Sequence, residues 1–355
     1  MPGTIGRMES APRVHGGFHS VVEQDHPYIF IDSCMQIWPD ADFAVAHKHG
    51  VTAYGVTAFE PNDPLERVLE QLMFWHLVAR RHPNLFVATT ADDIRQAKRD
   101  HRAALVLFAQ GGDFIERKLH RIEAFYRLGL RVMIPAYNRT NAICDGILDR
   151  TEGGLSRFGL RVMEEANRVG LVLDCTHVGK RSTLDIIDGS AAPVIFSHSN
   201  PKHLADNPRN IDDEQIKACV ARGGVIGTVS WGPLVMPPGG TARPTLDMYL
   251  AVIDHIAALA GNARHIGIGT DLSLGSYPRH DHDPWGDAEY PNPAADYNRA
   301  VTPDSRSERR MVEGFDDYPQ VVDVANRLLG RGYSEEDVSG ILGGNYLRLF
   351  EQVWR

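Results

Sequence analysis

The stretch from residue 156 to residue 177, "SRFGLRVMEEANRVGLVLDCTH", carries a helix, its stop and a strand in one unbroken run. Ser156 is a candidate N-cap, Phe158, Val162, Ala166 and Val169 recur along one helical face, and Gly170 is placed to end the helix. "LVLDCTH" then stays apolar without alternating, as a strand covered on both faces requires, and closes on an acid, a thiol, a hydroxyl and an imidazole. A helix feeding straight into such a strand is the repeating unit of a parallel α/β sheet.

Seven further runs share the strand character: "YIFID" (28–32), "VTAYGVTA" (51–58), "ALVLFA" (104–109), "RVMIPAY" (131–137), "PVIFSH" (193–198), "GVIGTVS" (224–230) and "HIGIGTD" (265–271). Helical patterns fill the gaps. In "IDDEQIKACVARGG", Asp212 and Gln215 have capping-box spacing and Gly223 marks the stop. Strand and helix alternate eight times without a break in composition, so the expected fold is a single (β/α)₈ TIM barrel over residues 28–355. Residues 1–27 precede it as an extension. The segment 273–310, rich in Pro, Asp, Tyr and Arg, is a long loop insertion placed to lie over the C-terminal face as a lid. "YSEEDVSGILGGNYLRLFEQVW" predicts a capped helix from Ser334, interrupted at Gly343 and Gly344.

Composition narrows the function classes. The net charge is −9, and no block of Lys and Arg forms a stripe suited to a phosphate backbone, so nucleic acid is not an expected partner. No uninterrupted run of about 18 apolar residues spans a membrane, and the N-terminal residues carry no signal-peptide pattern, so a cytoplasmic protein is expected. Cys34, Cys144, Cys175 and Cys219 are widely spaced and are expected to be reduced thiols. A homo-oligomer is compatible with everything above.

Barrel enzymes place their chemistry where strands run into loops at the C-terminal face. There strand 5 offers Asp174 and His177, strand 6 Ser197 and His198, and strand 8 Thr270 and Asp271. Two imidazoles and a carboxylate at one face suit a hydrolase, with nitrogens for a metal and an acid to ligate or to carry a proton. The alternative for any single histidine is a strand-end cap bonded to a carbonyl. Three such coincidences on three strands favour the site.

At this point the chain resembles a known family. "FGLRVMEEANRVGLVLDCTHVGKRSTLDII", "PVIFSHSNPKHLADNPRNIDDEQIKACVARGGVIG", "HIGIGTDLSLG" and "RGYSEEDVSGILGGNYLRLF" closely resemble the renal or membrane dipeptidases, a family of zinc metallopeptidases, from about residue 28 onward. The resemblance implies an amidohydrolase-type barrel, two zinc ions bridged by a glutamate, and hydrolysis of dipeptides. It places His177 and His198 on the second metal, and Asp271 on the first metal as the proton carrier to the leaving amine. Arg209 falls on the residue that holds the substrate carboxylate, a task a bidentate guanidinium fits; the alternative is a surface arginine capping its turn.

The chain also departs from the family. Where the pattern Asp-Gly-His-x-Asp supplies two ligands of the first metal, it has Asp32, Ser33, Cys34, Met35 and Gln36. Gln110 replaces the bridging glutamate, and Tyr137 replaces the histidine that polarises the scissile carbonyl. An amide is a weak neutral ligand; a phenol can still donate to an oxyanion. The first position keeps only Asp271, with Cys34 a candidate thiolate, although such a cysteine is more often a small buried hydrophobe. The second keeps His177 and His198 and can add Gln110. One zinc at most is therefore expected, in the second position, with an empty site left open. "HDHDPW" (280–285) offers replacement ligands or is simply a solvated loop.

The leading expectation is a metallohydrolase that cleaves a dipeptide, or an amino-acid derivative with a carboxylate, by metal-activated water. Tyr137 would steady the oxyanion, Asp271 would carry the proton and Arg209 would grip the carboxylate. Two alternatives keep the fold: proton-transfer chemistry such as isomerisation, tautomerisation or elimination, and metal-free ligand binding without catalysis.

Overall fold

A computed structural model describes residues 26–37, 41–43, 46–61, 63–275 and 307–355. The strands are β1 (Ile31–Ile37), β2 (Ala53–Thr57), β3 (Leu85–Val87), β4 (Ala103–Ala109), β5 (Leu130–Met133), β6 (Val172–Leu173), β7 (Ile195–Phe196), β8 (Val225–Thr228), β9 (Ile266–Ile268) and β10 (Ser273–Leu274). Eight of them run parallel in the order β6-β5-β4-β2-β1-β9-β8-β7. The remaining gap is bridged where Asp174 pairs with Ile195 and the Cys175 amide donates to the Ile195 carbonyl at 2.7 Å. The result is the TIM barrel, with each expected run supplying one stave.

Helices α1 (Leu65–Arg81), α2 (Ala91–Arg99), α3 (His120–Arg127), α4 (Arg157–Val169), α5 (Lys180–Gly189), α6 (Asp213–Ala221) and α7 (Leu246–Ala260) alternate with the strands. The local chemistry follows the sequence signals. Ser156 accepts from the Gly159 amide, Gly170 is left-handed at φ 89°, and Asp212 and Gln215 complete a capping box. The helix begun at Ser334 breaks after Ser339, where Gly343 is non-helical, and resumes over Asn345–Val353.

Three boundaries differ from expectation. β1 starts later and runs on through Ile37, because β10 pairs with it beyond Asp32 and puts Gln36 opposite Ser273. β3 is an extra short strand beside the start of β4, too brief to show a period. β6 and β7 pair over only two residues each, since their polar ends turn into the mouth. Of the lid expected over 273–310, Ser273 and Leu274 form β10. Residues 276–306, which include "HDHDPW", lie outside the described residues, as do residues 1–25 of the extension.

Inside the barrel the space is taken by Tyr346, fully buried, whose hydroxyl meets Ser33 Oγ at 2.7 Å. A Cβ at Gly267 would come within 2.2 Å of its ring, so the aromatic fits only because that strand position has no side chain. Among the described residues, no helix is long and apolar enough to cross a membrane.

Candidate active site

The barrel mouth has two sides, built by different strands. On the β6–β7 side, His177 and His198 follow their strand ends and are buried at 2% exposure each. Their Nε2 atoms are 2.9 Å apart, and Tyr137 stacks on the His177 ring with centroids 4.1 Å apart. Behind them, His177 Nδ1 meets Asn138 Oδ1 at 2.7 Å, and His198 Nδ1 meets Ser197 Oγ at 2.8 Å. Arg209, also buried, donates from Nη2 to His177 Nε2 at 3.3 Å.

These contacts fix the protons. Asn138 Oδ1 can only accept, so the His177 proton sits on Nδ1 and its Nε2 is a bare lone pair. That lone pair accepts from Arg209 and from His198 Nε2–H, which leaves His198 Nδ1 to accept from the Ser197 hydroxyl. Burial first, and the Arg209 charge second, hold both imidazoles well below the usual histidine range, so both are neutral.

The β1–β4–β9 side is different in kind. Asp271 accepts from Gln36 Nε2 at 3.0 Å and lies 4.0 Å from Cys34 Sγ. Gln110 donates from Nε2 to the same sulfur at 3.5 Å. Burial, reinforced by Asp271, Asp32 and Asp174, pushes the Cys34 thiol far above its ordinary range, so it is a protonated thiol rather than a thiolate. Burial also raises the Asp271 carboxyl, against opposition from Gln36, Arg310 and Arg209.

Beneath this side, Asp32 accepts from the Thr270 amide (2.8 Å) and hydroxyl (2.5 Å), from Tyr318 OH (2.8 Å) and from the Cys34 amide (3.3 Å). Complete burial outweighs those bonds and raises its carboxyl to about 7.

Three mouth residues sit in the left-handed region without being glycine: Asn138 (φ 61°), His177 (φ 65°) and Asp271 (φ 57°). Such backbone persists where surrounding bonds over-determine it. The His177 carbonyl accepts from the Asn138 and Ile147 amides, and the Asp271 amide donates to the Cys34 carbonyl at 2.9 Å. Three of the six non-glycine residues with left-handed backbone among the described residues thus lie at the mouth.

All seven candidate residues therefore surround the mouth, divided between its two sides: Tyr137, His177, His198 and Arg209 on one, Cys34, Gln110 and Asp271 on the other. Sequence reasoning missed Asn138 and Tyr318, and it gave Asp32 no role beyond its place in the strand 1 pattern. Asn138 had one readable sign, an asparagine directly after the apolar run 131–137, a residue type that tolerates left-handed backbone. The partnership of Tyr318 with Asp32 had none.

The profile of the membrane dipeptidases (Peptidase family M19) matches residues 37–283 and 301–355. The chain belongs to the membrane dipeptidase family. Similar proteins include Dipeptidase 3 of Mus musculus, 27% identical over 309 residues covering 85% of this chain and 54% of the relative. An uncharacterised dipeptidase of Schizosaccharomyces pombe is also 27% identical, over 82% of this chain and 64% of its own length. This membrane dipeptidase family member thus spans between half and two thirds of those curated relatives. Among solved structures, an amidohydrolase from Pseudomonas aeruginosa superposes with TM-score 0.81 at 28% identity, covering 92% of this chain and 97% of that one. The probable dipeptidase PvdM from the same species shares the fold at TM-score 0.75 and 18% identity, over 92% and 96% of the two chains.

The donor atoms decide which part of a family metal centre this chain can hold. Nitrogens sharing one zinc at about 2.0–2.1 Å each lie within about 4 Å of one another. His177 and His198 Nε2 meet that condition, are neutral, and are each backed by an oxygen, as imidazole ligands generally are. They fit one ion, with Arg209 competing for the same His177 lone pair. The first position does not fit. Its single carboxylate is engaged by Gln36, its sulfur is protonated, and Gln110 presents an amide N–H to that sulfur. Among the described residues, no three His, Cys, Asp or Glu side chains group as a ready metal cage.

Proposed function

We propose that this chain is a single-metal hydrolase of dipeptides or related small amides that carry a free carboxylate. One observation carries the reading: two neutral imidazoles with converging Nε2 atoms, at adjacent strand ends of a membrane dipeptidase barrel, with a buried arginine against them.

His177 and His198 would hold a zinc ion. Zinc bound there supplies Lewis acidity toward the scissile carbonyl and acidifies water to a pKa of about 7. The rest belongs to the chain. Asn138 and Ser197 hold the two rings in place, and the Ser197 hydroxyl turns from donor to acceptor when His198 gives up its Nε2 proton. Arg209 leaves His177 for the substrate carboxylate, which matches its fork in charge and shape. Tyr137, stacked on His177, presents a phenol to the oxyanion. Asp271, with its carboxyl raised by burial, holds and returns the proton that the leaving amine needs. The four cysteines are free and buried, which suits a reducing cytoplasm as part of the same proposal.

Elemental analysis of protein purified without chelator and supplied with zinc tests the reading, together with product analysis on a dipeptide panel. About one metal per chain and release of free amino acids are expected. His198→Ala should lose the metal and at least about 10³-fold in kcat/KM; undiminished turnover in that variant would sink the mechanism. A second reading, proton transfer without a metal, is favoured by the closed Arg209–His177–His198–Ser197 chain of hydrogen bonds. It predicts conversion of an amino-acid-like compound with no new amine, unaffected by chelator.

A further inference from the structure

Asp174 follows β6 directly and is fully buried, three residues before His177. Its two oxygens are treated differently. Oδ1 accepts from the Thr176 amide at 2.9 Å and from the Ser197 amide at 3.0 Å, which ties the end of β6 to the end of β7. Oδ2 is buried and, among the described residues, has no hydrogen-bond partner. A carboxylate oxygen kept from water without a donor is costly, and no step of the proposed hydrolysis uses it.

Two hydroxyls stand between this carboxyl and His198. Ser197 Oγ lies 2.8 Å from His198 Nδ1 and 3.3 Å from Thr176 Oγ1, and Thr176 Oγ1 accepts from the His198 amide at 3.3 Å. As bonded here, His198 carries its proton on Nε2 and takes the Ser197 hydrogen on Nδ1. To ligate a metal through Nε2, it must adopt the other tautomer. It then loses the Nε2 proton to solvent, gains one on Nδ1 and donates that one to Ser197 Oγ, so the ring stays neutral. The Ser197 hydrogen needs a new acceptor. Thr176 Oγ1, which already takes the His198 amide hydrogen, can accept it only by turning its own hydrogen elsewhere, whereas a carboxylate only accepts. Either route, direct or through Thr176, ends on Asp174 Oδ2. Burial raises the Asp174 carboxyl, and the Ser197 hydroxyl is the first influence against that rise, as a donor close to the carboxyl requires.

We propose that Asp174 is a positioning residue for the metal, the terminal acceptor of an Asp174–Ser197–His198 chain that holds His198 in the tautomer a zinc ion needs. The proposal rests on His177 and His198 as the metal ligands. Ligating imidazoles generally give their second N–H to a carboxylate, a carbonyl or water. Here a hydroxyl intervenes, so the carboxylate acts at one remove, and its negative charge offsets part of the charge of a dication held by two neutral rings. Asn138 does the corresponding work for His177 with a neutral amide. His198 is therefore the ligand whose donor strength depends on a charge.

Zinc titration of the full chain against a chromophoric chelator tests this independently of turnover. Asp174→Asn keeps an oxygen for the two amides and puts an N–H group in place of Oδ2. It should weaken zinc binding about 10- to 100-fold, the usual worth of such outer partners, and Ser197→Ala should do the same. The double variant S197A/D174N should bind zinc no more weakly than Ser197→Ala alone, since both act through one chain. The Tm of the chelator-treated chain should not fall in Asp174→Asn, because the amide-bonded oxygen remains and an uncompensated buried charge is gone. Unchanged zinc affinity in Asp174→Asn, losses that multiply in the double variant, or a fall in that Tm, which marks a merely structural role, would each overturn the assignment. Zinc loss in His198→Ala alongside any of these would leave the metal reading standing, whereas a wild-type chain that binds no zinc would overturn both.

Discussion

The two sides of the barrel mouth answer the same demand in opposite ways. On the β6–β7 side the two imidazole Nε2 atoms converge at 2.9 Å, His177 with a bare lone pair and His198 with the proton it gives to it, so an ion bound there would take the place of that proton. On the β1–β4–β9 side each group is completed by its neighbour: Gln36 gives Asp271 a hydrogen, and Gln110 gives one to Cys34. A buried carboxylate needs either a cation or donors. Here the donors of neutral side chains stand where charge compensation by a metal would otherwise be required. One side of the mouth converges on a point that an ion would take, and on the other only Asp271 has a part in the proposed reaction while Cys34, Gln36 and Gln110 are bonded to their neighbours.

That contrast is easiest to break at the histidines. The metal loss expected of His198→Ala should have no counterpart across the mouth: Cys34→Ala should leave metal content unchanged in the same elemental analysis, because a thiol held protonated contributes no ligand. Equal losses on both sides would make the division wrong. The contrast can also be erased deliberately. Exchanging Cys34→His, Gln36→Asp and Gln110→Glu together should raise the metal content from about one to about two per chain, read by elemental analysis, since it replaces internal donors with charged and lone-pair ligands.

Asp32 offers a pH test of the packed side. Its folded carboxyl titrates at about 7, against about 3.9 in an unfolded chain. Between those values the unfolded chain loses its proton and the folded chain keeps it. Asp32 thus favours folding most at low pH, and that contribution falls as pH rises through 4 to 7. The full window is worth up to about 4 kcal/mol. In urea unfolding at stepped pH, Asp32→Asn should gain stability relative to wild type as pH rises across this range; a constant difference would mean the carboxyl is ionised in the fold. A smaller change is expected at Arg209. Arg209→Met should raise KM by about 10- to 100-fold, the worth of hydrogen bonds to a charged group. It should also tighten zinc binding in calorimetry, because it frees the His177 lone pair. A variant that weakens zinc would show that Arg209 supports the ion rather than competing with it.

The barrel was legible because its strands are near-continuous apolar runs and its helices carry strong caps, such as Ser156 and Asp212, whose consequences stay local. β3 was not, since three residues carry no period. Within the site, His177, His198 and Asp271 could be placed because strand ends declare themselves. What the replaced residues do could not be read. That Gln110 turns its amide N–H to Cys34, or that Gln36 serves Asp271, depends on side-chain rotation about a shared space, and no spacing along the chain encodes it. Asn138 shows the intermediate case, with its left-handed backbone hinted by residue type and its partner His177 known only in three dimensions.

The anchors of β1 have a bearing on how the molecule assembles. Asp32 is held by Tyr318, 286 positions away, and Ser33 by Tyr346, 313 positions away. The stave that is synthesised first is thus completed by segments that emerge much later. Contacts of such sequence separation are reached slowly, after the entropy of closing a long loop has been overcome. Until then the growing chain carries a carboxylate and a hydroxyl whose partners do not yet exist, next to apolar strand that no second layer covers. For this barrel the vulnerable interval lies during synthesis, before Tyr318 and Tyr346 arrive, and a chaperone that shields β1 would act there.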